Sequence, residues 1–172
     1  SDLSLHQTSR SWDDYLAEAA AAAAGVDGAP VRRGVVAPYF AADGFVAASA
    51  DRIRAVTADW EPGRFRDAAL VLTAHAIPAP AERVSPYRSQ VARSAELVAA
   101  AVDHPAHLLG FQSAPDASRV PWSTPAVEDQ IHAAAAAGAR EVVVQAIGFL
   151  VDHVEVRYDL DDDVLIVPGT EL

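Results

Sequence analysis

Three short apolar runs, Ala68 to Thr73, Leu108 to Gln112 and Val142 to Ile147, constrain this chain more than any other feature. Each is too short for a core helix and too continuously apolar for a strand with one wet face, so each reads as a strand covered on both sides. A fourth run, Val31 to Tyr39, has the same β-branched character and ends at Pro38, which also predicts a strand. Between the runs lie helical patterns: Ser11 to Ala24, Phe45 to Trp60, Tyr87 to Val102 and Thr124 to Ala137. Ser11 is an expected N-cap, with Asp13 and Asp14 in the first turn. Thr124-Pro125 is expected to open the last helix and Gly138 to close it. Strands alternating with helices predict the α/β class, a parallel Rossmann-like sheet with helices on both faces.

Composition narrows the function. The net charge of −11, with all 13 basic residues Arg and none clustered, argues against nucleic acid. No apolar run reaches the roughly eighteen residues of a membrane span. The bland stretch Ala19 to Ala24 follows acidic residues, unlike the basic start of a signal peptide, so the expected compartment is the cytoplasm. There is no Cys, hence no disulfide, thiolate site or Cys-ligated iron–sulfur cluster, and any metal must be held by His, Asp and Glu. The absence of Met and the start at Ser1-Asp2-Leu3 suggest a trimmed or partial sequence.

Ligands of parallel sheets bind beyond the carboxyl ends of the strands. The polar residues expected there are Tyr39, His75, Gln112 with Ser113, and the group Asp152, His153 and Glu155. An imidazole at a strand mouth can bind a borderline metal or exchange a proton near neutrality; the plainer reading of His75 is a loop residue holding a carbonyl. Glu155, Asp159 and Asp163 recur every four residues and would line one helix face. A cation would relieve their mutual repulsion, whereas a solvated acidic face needs no ligand. Trp122 reads either as a packing anchor or as a surface for a flat ligand. His6, His104, His107 and His132 read as structural or solvated.

Three motifs carry a resemblance. Thr73-Ala74-His75-Ala76-Ile77-Pro78, then Phe111-Gln112-Ser113 with Pro121-Trp122-Ser123-Thr124-Pro125, then Val151-Asp152-His153-Val154-Glu155 through Tyr158-Asp159-Leu160-Asp161 resemble, in order and spacing, the signatures of ferrochelatases. The likeness is firmest from Asp67 to Asp163 and is greatest to the actinobacterial type. It implies a chelatase-like lobe and a lyase of heme biosynthesis that inserts Fe²⁺, a substrate, into coproporphyrin III or protoporphyrin IX. His75 and Glu155 match the catalytic pair facing the metal and the pyrrole nitrogens. Asp159 and Asp163 match acidic positions that conduct metal or protons. Tyr39, Gln112, Ser113 and Trp122 fall where the porphyrin is expected. The family saddles the macrocycle, exposing the nitrogen lone pairs.

The sequence also departs from the pattern. Ala114 stands where Arg is common, Ser123 for Leu, Gln145 for an apolar residue, Ala146 for Pro and Val151 for Ser. The family has two similar lobes, whereas here residues 1–66 read as a partial first-lobe or inter-lobe region and 67–172 as the lobe carrying the metal-site residues. The chain is therefore expected to act as a monomer or with a partner supplying the missing lobe. The alternatives are a degenerate module binding metal or tetrapyrrole without turnover, and a chelatase for another tetrapyrrole, such as a cobaltochelatase. His and carboxylates do not separate Fe²⁺ from Co²⁺ by ligand type.

Overall fold

The structure, a computed structural model, describes residues 5–8, 12–24 and 34–149 together with the backbone of 164–166. In chain order the elements are α1 (Asp14–Ala24), α2 (Asp43–Val56), α3 (Arg64–Asp67), β1 (Ala69–His75), α4 (Ala79–Arg83), α5 (Tyr87–Ala101), β2 (Leu108–Gln112), α6 (Val127–Ala136), β3 (Val142–Ala146) and β4 (Val164–Ile166). The sheet order is β2-β1-β3-β4. β1 pairs parallel with β2, placing His75 opposite Gln112, and parallel with β3, placing Thr73 opposite Ala146. β4 runs antiparallel beside β3.

This order dictates where the helices lie. The step from β1 to β2 goes one way across the sheet, and the step from β2 past β1 to β3 goes the other way. Crossovers of one hand therefore put their helices on opposite faces. On one face, α5 supplies Ala95, Val98 and Ala99, and α2 supplies Phe45 and Ile53, to a cluster with Leu70, Leu72 and Val143. On the other, Val127 and Ala134 of α6 pack on Val71, Val142 and Val144. Successive β1 residues alternate between the two clusters, which is why the run is apolar without interruption. Gly110 admits α6 to this face: a Cβ there would stand 2.7 Å from the Val127 Cα.

Several sequence expectations are corrected. Over its described residues, 34–39, the run Val31 to Tyr39 is not a strand. Val35 and Val36 are 60% and 76% exposed and pair with no strand among the described residues, so their β-branched side chains find no neighbour to pack on. The fourth sheet member is instead β4. Thr124-Pro125 does not open α6; the bond between them is cis, and Ala126 is the N-cap. Pro125 is occupied elsewhere, its carbonyl accepting from the Phe111 amide at 2.9 Å, so this stretch lies along β2 and the helix starts later. The pattern through Trp60 stops at Val56, where the Thr57 hydroxyl and amide both turn back to the Ile53 carbonyl. α3 and α4 arise in stretches expected to be irregular. No residue of α1 is buried, and its expected cap, Ser11, lies outside the described residues.

His6 ties the N-terminal residues to α5. It is buried beside Phe40 and Tyr87, with ring centroids 6.4 and 5.8 Å away, and its Nε2 lies 3.1 Å from Ser94 Oγ. Ser94 Oγ donates to the Phe40 carbonyl at 2.7 Å, so its lone pair is left to accept from a neutral His6. Burial lowers the His6 pKa from 6.5 to about 4. The unfolded chain thus binds a proton that the native chain refuses between these values. Stability from this site is complete above pH 6.5 and is lost as pH falls towards 4, a change of about 3 kcal/mol. Urea unfolding across this range should show that loss, and His6→Gln should flatten the slope relative to the parent.

Candidate functional site at the strand ends

After β1 the chain leaves towards α4 and α5, and after β2 it leaves towards α6 on the opposite face. The carboxyl ends of these two neighbouring strands therefore bound a crevice, the topological switch point of the sheet. A cavity of about 490 Å³ lies there, lined by His75, Gln112, Ser113, Ala114, Asp116, Val127 and Glu128. Ser113 takes a left-handed conformation, φ 64°, which turns the chain sharply out of β2 and into the cavity wall. Among the described residues the lining holds two carboxylates and no Arg, so its field favours a cation over an anion.

His75 is the last residue of β1, within the strand rather than just past it. Its Nδ1 lies 2.5 Å from the Ala76 carbonyl, which can only accept; the neutral ring therefore carries its hydrogen on Nδ1 and its lone pair on Nε2. The Phe149 ring meets it edge-on, centroids 6.3 Å apart. Gln112 is buried, and its Oε1 accepts from the buried Thr73 hydroxyl at 3.1 Å. Its Nε2 has no hydrogen-bond partner among the described residues, an unspent donor at the cavity wall beside His75.

Tyr39 and Trp122 lie away from this cavity. Tyr39 lines a second cavity, about 280 Å³, between α2 and the end of β3, with Gln145 and Phe149. Trp122 packs on the cluster of Ala74, Ala76, Tyr87, Val91 and Phe111, and its Nε1 donates to Ser118 Oγ at 2.9 Å. Its surroundings are those of a packing anchor. Glu155, Asp159 and Asp163, with Asp152 and His153, lie outside the described residues. Among the described residues no three His, Asp or Glu side chains converge on a metal position. His104 is structural, its Nε2 3.1 Å from the carbonyls of both Phe65 and Ala68.

Asp116 and Glu128 belong to none of the three motifs. Asp116 reaches the cavity from the loop that follows β2, and Glu128 from the first turn of α6, which docks beside β2. Thr73 opens the first motif, and its bond to Gln112 follows from the register of β1 on β2.

The fold is the α/β lobe that the three motifs imply, and His75 and Gln112 stand side by side at its switch point. The chain belongs to the ferrochelatase family, whose sequence model matches residues 3–165. It is 43% identical over 129 residues to the coproporphyrin III ferrochelatases of Mycolicibacterium paratuberculosis and Mycobacterium tuberculosis, covering 73% of this chain and 37% and 36% of theirs. It is 39% identical to that of Mycobacterium leprae, covering 73% of this chain and 38% of the relative. The chain spans a little over a third of the length of these relatives. No helix among the described residues is long and apolar enough to cross a membrane.

Gly148 closes the site from behind. A Cβ there would stand 3.0 Å from both Cα and Cβ of Ala74 and 3.4 Å from the His75 amide nitrogen. Gly148→Ala should therefore displace the end of β1 and cost about 1–3 kcal/mol in chemical denaturation. Gly44→Ala, in α2 with nothing within 4 Å, should instead stabilise by about 0.5–1 kcal/mol.

Proposed function

We propose that this chain is the metal-site lobe of an enzyme that inserts Fe²⁺ into a porphyrin, a lyase of heme biosynthesis, with coproporphyrin III favoured over protoporphyrin IX. The observation that carries the proposal is His75, fixed by Nδ1 to the Ala76 carbonyl and lining the switch-point cavity of a lobe of this family. The names of the relatives favour coproporphyrin III as the acceptor.

The reaction places one Fe²⁺ in the macrocycle and releases two pyrrole protons. His75 accepts a proton or meets the entering metal, Glu155 faces it across the ring, and Asp159 and Asp163 pass the ion or the protons. Gln112 and Ser113 contact the macrocycle from the cavity wall. The carboxylates of Asp116 and Glu128 add a negative field that draws the cation in. The site-bearing lobe spans 67–172. Residues 1–66 lead into it, α2 lending Phe45 and Ile53 to its core.

A general base contributes about a hundredfold or more to rate. Fe²⁺ insertion into coproporphyrin III, followed by absorbance under anaerobic conditions, should therefore fall at least that far in His75→Ala while porphyrin binding persists. Undiminished turnover in the variant would overturn the assignment. Porphyrin bound by the parent protein but never metallated would make this a binding module, and faster insertion of Co²⁺ into a corrin precursor would move the substrate class.

A further inference from the structure

We propose that Tyr87 is a positioning residue for His75, setting the direction and tautomer of the imidazole through the main chain; the inference rests on the role of His75 proposed above. β3 stops pairing with β1 at its end, where the Ile147 amide donates to the Thr73 carbonyl at 2.8 Å. Two residues on, the His75 carbonyl points to the same edge of β1, past the last rung of that ladder. There it accepts from the Tyr87 hydroxyl at 2.6 Å. Across the same peptide unit, the Ala76 amide donates to the Gln112 carbonyl at 2.8 Å. The His75–Ala76 peptide is thus held at both ends, by a phenol from α5 and by β2.

That peptide leads straight to the Ala76 carbonyl, the group that accepts from His75 Nδ1. The carbonyl lies in the next peptide, whose Ile77 amide donates to Ser123 Oγ at 3.1 Å; with both peptides held the acceptor is placed, and it selects the tautomer with the hydrogen on Nδ1. The phenol suits this task. Tyr87 is buried among Ala74, Ala76, Val91 and Phe111, and His6 lies edge-on against its ring at 5.8 Å. Burial, with the Glu82 charge nearby, pushes its pKa upward, so the hydroxyl keeps its hydrogen and remains a donor. A phenylalanine would fill the same space without making the bond.

Tyr87→Phe removes the donor while keeping the ring. Val91→Ala is the control, because it opens the same buried cluster without touching the hydrogen bond. In ¹⁵N-histidine-labelled protein, with the His75 signals assigned by His75→Gln, Tyr87→Phe should lower the Nδ1–H population of His75. Val91→Ala should leave it unchanged. In the porphyrin insertion assay, Tyr87→Phe should lower kcat about tenfold, the scale of one hydrogen bond, with KM for porphyrin within twofold. Added to His75→Ala, it should have no further effect on kcat.

Nitrogen shifts and kcat that change alike in Tyr87→Phe and Val91→Ala would overturn the inference. So would an undiminished effect of Tyr87→Phe in the His75→Ala background. A parent protein that metallates no porphyrin refutes the proposed function, and the nitrogen shifts then decide the role of Tyr87 alone.

Discussion

The structure depends on one constraint: β1 is hydrogen-bonded along both edges and covered on both faces. β2 and β3 take its edges, while α2 and α5 on one side and α6 on the other take its faces. A strand so enclosed has no room for register error, because a slip of one residue would exchange the side chains of the two clusters. Leu70 and Leu72 would meet α6, and Val71 would meet α5. Its last residue, His75, is therefore delivered to one place with little freedom, and the opposed exits of β1 and β2 open a cavity there.

Around that point the structure uses main-chain groups more than side chains. The His75–Ala76 peptide is gripped by Tyr87 and by the Gln112 carbonyl, the imidazole is turned by the Ala76 carbonyl, and Gly148 presses the end of β1 from behind. Only a residue without a Cβ comes so close to Ala74 and His75. The Thr73 hydroxyl fixes Gln112 in the same way, holding its Oε1 on the strand side. These contacts fix the end of β1 and the ring of His75 within the folded lobe.

Departures from the sequence pattern fall where residues do more than one thing. Thr124-Pro125 has the chemistry of a helix start, yet Pro125 is paired to β2, and the competing hydrogen bond to Phe111 decides the outcome. Val35 and Val36 have strand propensity without a strand to pair with among the described residues, and propensity alone does not satisfy backbone amides. Trp122 admitted two readings from its loop position. Packing against the cluster of Tyr87 and Phe111 gives it a structural place that its position in the chain did not reveal.

By itself the sequence determined the strands now numbered β1, β2 and β3, the helices between them, the parallel two-faced sheet, and the placing of His75 and Gln112 at strand ends. These follow from local periodicity and from burial on both faces, which a single run of residues records directly. Only the tertiary structure decided that Asp116 and Glu128 share the cavity of His75, that Tyr39 faces another, and that the Tyr87 hydroxyl meets the His75 carbonyl. Those meetings join residues far apart in the chain. They depend on register and crossover geometry, to which a residue's neighbours in sequence are blind.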